Sequence, residues 1–279
     1  MHCSAPLIIS AICKRWREIA FDIPDLWTTP KIYLYSYKKM ALQQRLLSAW
    51  LARSGRRPLD ISVAHTNSFQ YELPLSNPSF IETIVKSVVH LRTLNLCLGS
   101  GLSSQFFTGL VCLPALEGLQ LWAPELDEDE EDLYRVDYSL PKLPSLKYFR
   151  TKIHCVFAKF QDFANLRVCH LVSVAIDEAL EFLQAADKVE KCILRSIFPT
   201  AESFPPNQNI THFGLRDLEM QPMSLTGTET MEVLFGCLTL PSLHRFAYNT
   251  QKVNGPSPFP VDDFFFVLGS IRVLRPREI

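Results

Sequence analysis

The chain has 279 residues, with 28 Lys and Arg against 29 Asp and Glu, for a formal net charge of −1. Apolar residues make up 47% and charged residues 20%, which supports a core and excludes global disorder. Leu supplies 39 residues and Gly only 10, which excludes collagen-like and Gly-rich architectures.

The chain opens on the apolar patch Leu7-Ile8-Ile9, followed by Lys14, Arg15 and Arg17. A secretory leader carries its basic residues before the apolar stretch, so this order predicts an intracellular protein. No apolar run reaches the ~18–20 residues that cross a bilayer. The eight Cys sit mostly inside apolar runs and read as small buried hydrophobes, not as a disulfide frame. Ile8, Ile9, Ile12, Trp16, Ile19 and Ala20 follow helical spacing, which predicts one helix from Ile8 to Ile19. Pro24 breaks it, and Leu26-Trp27 turns before Pro30. A second helix is predicted from Tyr37 to Arg53, with Met40, Leu42, Leu46, Leu47, Trp50 and Leu51 near one face. Ser54-Gly55 ends it, and Arg53, Arg56 and Arg57 suit its C-terminal dipole. Leu59 to Val63 alternates and reads as a strand. Residues 1–60 carry 10 basic against 4 acidic side chains, whereas the remainder carries 18 against 25. That asymmetry suggests two segments with different tasks.

A short phrase then recurs. It reads Leu91-Arg-Thr-Leu94-Asn-Leu96, then Leu116-Glu-Gly-Leu119-Gln-Leu121, Leu146-Lys-Tyr-Phe149 and Leu166-Arg-Val-Cys169-His-Leu171. It continues as Val189-Glu-Lys-Cys192-Ile-Leu194, Ile210-Thr-His-Phe213-Gly-Leu215 and Leu243-His-Arg-Phe246. Its fourth positions are 94, 119, 149, 169, 192, 213 and 246, so four of the six spacings fall within the ~20–29 residues of leucine-rich repeats. The two long gaps hold the acidic run 125–132 and a helical stretch near 228–238. Helical patterns also lie at 79–89 and at 177–189, the latter with Asp177 placed to cap. The predicted fold class is α/β: an irregular leucine-rich repeat solenoid, with a curved parallel sheet and outer helices, over 59–279. A short helical segment, 1–58, precedes it. An ordinary α/β domain with chance Leu spacing is the competing reading.

Cys13-Lys-Arg-Trp16-Arg-Glu-Ile-Ala20, followed by Asp22-Ile-Pro24-Asp-Leu26-Trp27, resembles the second half of an F-box as found in fungal F-box proteins. Leu51-Ala-Arg-Ser-Gly-Arg-Arg-Pro58-Leu59 is similar to the segment that follows it in that family. The resemblance implies a substrate receptor of a cullin–RING (SCF-type) ubiquitin ligase. A Skp-type adaptor would be held by the F-box-like segment, with Cys13, Trp16, Leu26 and Trp27 as candidate contacts, and a protein target by the repeats. The motif's first half would precede Met1, and the chain is expected to lack it. Packing of Trp16, Leu26 and Trp27 onto the repeats is the plainer role for these side chains. An adaptor-independent interaction scaffold is the alternative function, and an enzyme with no recognisable motif a remote one.

No CxxC pair or HExxH helix is present, and neighbours such as His154-Cys155 and Cys169-His170 point to opposite faces of a strand. No phosphate-binding Gly motif or nucleophile elbow occurs. The expectation is a non-enzyme with no cofactor and no metal. The acidic run 125–132 lacks the ligand alternation of a calcium loop and reads as a solvated insertion. In a repeat solenoid the variable residues between anchors face the concave surface. Here they include Trp122, Tyr148, Arg150, Lys152, His170, Lys191, Arg195, His212, Arg216 and Arg245. The 21 positions so assigned hold six Lys or Arg and no Asp or Glu. A basic concave face is therefore expected, with Trp122 and Tyr148 as aromatic anchors, suited to an acidic or phosphorylated protein segment. The near-neutral net charge disfavours nucleic acid as the partner, and no membrane partner is expected.

Overall fold

A computed structural model describes residues 5–34, 37–65, 78–98, 106–107, 110–122, 140–152, 163–198, 209–222 and 234–248. The acidic run 125–132 and the His154-Cys155 pair lie outside these residues. The chain forms two compact units, 1–146 and 147–279. Both are mixed α/β, and among the described residues four strands of the first unit and seven of the second are paired in parallel, two of the seven only with each other.

The first unit begins with two helices where periodicity predicts one, α1 (Ala5–Ile12) and α2 (Lys14–Asp22). Cys13 separates them in an extended conformation, at φ −158° and ψ 174°. A 3-10 turn over Pro24–Trp27 starts on its proline, whose fixed φ suits a helical first position. Then come β1 (Lys31–Leu34), α3 (Tyr37–Ser54) and β2 (Leu59–His65). Gly55 ends α3 at φ +62°, a conformation that costs a side-chain-bearing residue more than glycine. After α4 (Pro78–Val85) come β3 (Leu91–Cys97) and β4 (Gly118–Trp122). The four strands lie side by side in chain order, all parallel. β1 is not legible in the sequence: its four residues form a strand by pairing with β2, a segment that follows only after α3. Asp60 ties β2 to β3 by accepting from both Arg92 and the Thr93 hydroxyl. Partial burial works against its charge, but those donors prevail and hold the carboxyl below its usual range.

The second unit carries β5 (Tyr148–Thr151), β6 (Val168–Ala175), β7 (Lys191–Phe198), β9 (Asp217–Pro222) and β11 (Arg245–Tyr248), parallel and in that order. Two short strands, β8 (Ile210–Thr211) and β10 (Leu238–Thr239), pair with each other instead. Helix α5 (Ile176–Ala185) connects β6 to β7. Its capping residue is not Asp177: the Glu178 carboxylate reaches back to accept from the Ala175 backbone N–H at 3.2 Å.

One local device recurs before the strands. A backbone N–H three residues on closes a tight turn at Leu113–Leu116, Leu143–Leu146, Phe163–Leu166, Ala186–Val189 and Leu240–Leu243. The chain then enters its strand through paired N–H groups donated to the preceding repeat. Arg167 and Val168 donate to Lys147, Glu190 and Lys191 to Arg167, and Arg216 and Asp217 to Glu190. His244 and Arg245 donate to Arg216. The strand anchors Leu94, Leu119, Phe149, Cys169, Cys192 and Leu218 are all buried on one face. Burying each Leu or Phe among them contributes about 1.5–3 kcal/mol.

The sixth phrase is misplaced by the sequence reading. Its strand is not the one anchored at Phe213, which is 73% exposed. The strand that joins the sheet is β9, whose Leu218 lies opposite Cys192 and Phe246. Its phrase is Leu215-Arg-Asp-Leu218-Glu-Met220, with all three apolar residues buried. Replacing 213 by 218 changes the last two spacings from 21 and 33 to 26 and 28 residues, so the helical stretch near 228–238 is no longer needed to explain a long gap.

Candidate functional site

Two surfaces carry the residues singled out from the sequence. The first is the helical end of the first unit. Ile8 and Ile12 stand four residues apart on α1, and Trp16, Ile19 and Ile23 continue at spacings of three and four along α2 and its end. All five are large, apolar and 41–62% exposed. Large apolar side chains exposed at this density along two short helices are a usual mark of an interaction site. Cys13 is exposed between the two helices. Leu26 is half-buried. Trp27 is not part of this surface: it is 2% exposed, and its indole N–H donates to the Ala20 carbonyl at 2.7 Å. Of the four candidate adaptor contacts, Cys13 and Trp16 are thus presented to solvent and Trp27 is core.

The second surface is the half-buried face of the second unit's sheet. Tyr148, Val168, Lys191, Asp217 and Arg245 form one row across it, and Arg150, His170, Ile193, Glu219 and Ala247 the next. Arg195 follows beside Val172 and Gln221, and exposed Lys152 directly follows β5. Two expected members are absent from these rows. His212 is buried at 3% exposure, and Arg216 precedes β9. Their places are taken by Asp217 and Glu219, so the expected face without carboxylates is corrected. Glu219 meets Arg195 at 3.2 Å. Five cationic side chains now face two carboxylates, and the face keeps a positive excess. The signal for this register was present in the Leu215, Leu218 and Met220 spacing. Trp122 is half-buried on the corresponding face of the first unit, opposite Cys97.

His170 is the electrostatic centre of the second surface. It is 6% exposed and its Nε2 has no hydrogen-bond partner. Burial, with the charges of Arg150, Arg195 and Lys152 around it, pushes its pKa down to about 4, against a smaller opposing pull from Glu219. The ring is therefore neutral at pH 7. The unfolded chain takes up this proton as pH falls through 6.5, while the folded chain resists until about 4. His170 thus favours the folded state fully above pH 6.5, and that advantage is lost as pH falls toward 4. After allowance for solvent screening the effect is about 1–2 kcal/mol. Urea unfolding of wild type and His170→Gln at pH 7 and pH 4.5 checks this. The wild type loses more stability than the variant over that interval, and parallel losses would refute the assignment.

Cys169 and Cys192 lie opposite each other beneath this face, and burial pushes the Cys169 thiol up. Among the described residues no three His, Cys, Asp or Glu side chains are grouped to hold a metal ion. No helix among them is long and apolar enough to cross a membrane. No protein-family model, curated protein or solved structure matches the chain.

Proposed function

We propose that the chain is a protein-recognition module, the substrate receptor of a cullin–RING (SCF-type) ubiquitin ligase. In this reading the recurring turn-and-strand units form an irregular leucine-rich repeat solenoid. The α1–α2 helices hold a Skp-type adaptor, and the basic sheet face holds an acidic or phosphorylated segment of the target. The observation that carries it is the five exposed apolar side chains Ile8, Ile12, Trp16, Ile19 and Ile23, on and at the end of the same helices that bear the F-box-like motif. An aromatic flanked by branched aliphatic side chains is the usual make-up of an interface centre. The face of Arg150, Lys152, Lys191, Arg195 and Arg245 supports a target of opposite charge.

The test is co-purification of the full chain with a Skp-type adaptor from its own source. The double variant Ile12→Asp, Trp16→Asp is run beside it. Both side chains are exposed, so the variant keeps its circular dichroism and melting temperature. Wild type retains the adaptor and the variant loses at least about tenfold in affinity, as expected for loss of two central contacts. Failure of the wild type to bind rejects the ligase reading and leaves an adaptor-independent scaffold. Equal binding by both chains rejects these helical side chains as the contact.

A further inference from the structure

The helical end of the first unit also carries a cavity of about 290 Å³, open to solvent on one side and bounded by α1, the 3-10 turn, β1 and α3. Its walls are mainly apolar and aromatic, with Phe21, Trp27, Leu47 and Trp50 prominent. Leu7, Phe21 and Leu46 line it and are also 39–45% exposed, so apolar surface leads from solvent to the cavity. Neither the proposed adaptor contacts nor the sheet face uses this space.

Two lining residues carry polar atoms that are buried with no hydrogen-bond partner. One is the indole N–H of Trp50, a residue more than nine-tenths buried; the other is the side-chain carbonyl of Gln43. The Gln43 amide is oriented by its Nε2, which donates to the Tyr33 carbonyl, so the oxygen is the atom left over. Native interiors leave very few such atoms, and each asks for an explanation. Here the remainder is one donor and one acceptor, both uncharged. Of the two cations that line it, Lys31 is exposed to solvent and Arg53 is engaged: the Arg53 guanidinium lies 4.2 Å from the Phe21 ring centroid and 5.0 Å from that of Trp27, and donates to the Ala49 carbonyl at 2.8 Å. Pockets that are largely apolar, with a few placed polar atoms, are the ordinary form of a small-molecule site.

We propose that this cavity binds a flat, uncharged small molecule about two rings in size, bearing an amide-like group. Its apolar body packs against Trp27 and Trp50. Its polar end accepts from Trp50 Nε1 and donates to Gln43 Oε1. The proposal is independent of the adaptor and target readings, because it concerns binding by the chain alone.

The full chain is titrated with 2-naphthamide and, separately, with naphthalene, which has the same rings and no polar group. Intrinsic Trp fluorescence and melting temperature are the readouts. The amide quenches fluorescence and raises the melting temperature, and binds about tenfold more tightly than naphthalene through its hydrogen bonds. Trp50→Phe removes the N–H together with part of the ring, so both probes lose the same apolar contact while only the amide loses its hydrogen bond, and the amide's advantage is erased. Ala49→Leu fills the cavity from α3 and abolishes binding of both probes. Should Ala49→Leu fail to fold, Trp50→Phe carries the test, since Trp50 Nε1 makes no bond in the protein. Absence of any response to 2-naphthamide overturns the proposal, as does an equal response to naphthalene or an undiminished amide preference in Trp50→Phe.

Discussion

Trp27→Ala lowers the folding stability of the first unit by about 3–5 kcal/mol, while Trp16→Ala changes it by less than about 0.5 kcal/mol. The two residues have the same chemistry and lie eleven positions apart, but 48% of Trp16 is in solvent and almost none of Trp27. The Trp27 ring sits 5.1 Å from that of Trp50, edge-on, and 5.8 Å from that of Phe21. It also walls the cavity, so truncation enlarges a void instead of letting neighbours close in. Its N–H satisfies the Ala20 carbonyl, one of the last-turn acceptors of α2 that have no partner within the helix. Trp27→Phe separates these contributions: it keeps most of the burial, strands that carbonyl, and costs about 1–3 kcal/mol. Denaturant unfolding of the three variants is the measurement. A Trp27→Ala loss no larger than that of Trp16→Ala would show that the cluster does not anchor the helices.

His212→Ala is expected to destabilise the second unit by about 1–3 kcal/mol, since it strands the buried Leu215 N–H and removes the second donor to the Ala186 carbonyl, which keeps only the Val189 N–H. In five other turns a backbone carbonyl accepts the N–H three residues on. In the sixth, the His212 ring takes over: Nδ1 accepts from the Leu215 N–H at 3.0 Å. The ring proton must then sit on Nε2, which donates to the Ala186 carbonyl at 2.9 Å and joins this turn to the previous one. Close packing accompanies it. A Cβ on Gly214 would stand 2.9 Å from the Asp187 carbonyl oxygen and 3.2 Å from that of Val189. His212→Asn places an oxygen near the position of Nδ1 and cannot span to Ala186. It therefore falls between wild type and His212→Ala in a urea titration. A neutral His212→Ala would return this residue to the binding surface on which the sequence placed it.

That misplacement shows what spacing can and cannot decide. Ile210, Phe213 and Leu215 satisfy the repeat phrase as well as Leu215, Leu218 and Met220 do, because both sets obey the same short-range pattern. Only burial against β7 and β11 separates them, and it leaves Phe213 in water and Leu218 inside. The choice moves His212 and Arg216 off the sheet face and brings Asp217 and Glu219 onto it, so one register changes the charge of the candidate site. The split at Cys13 has a similar origin, for the helical spacing of Ile8, Ile12 and Trp16 runs across a residue whose backbone is extended.

By itself the sequence determined the mixed α/β class, the order of the strand phrases and the identity of most anchors. These follow from the alternation of apolar and polar residues, a property of neighbouring positions along the chain. It also placed Arg150, His170 and Arg195 on one sheet face, because β5, β6 and β7 keep the register their phrases predict. Tertiary structure alone decided that Trp27 is core while Trp16 is surface, that β1 exists, that His212 is a buried latch, and that a cavity lies beside Trp50. Each of these depends on which distant segment covers a residue, and coverage is a relation between parts of the chain that local periodicity does not encode.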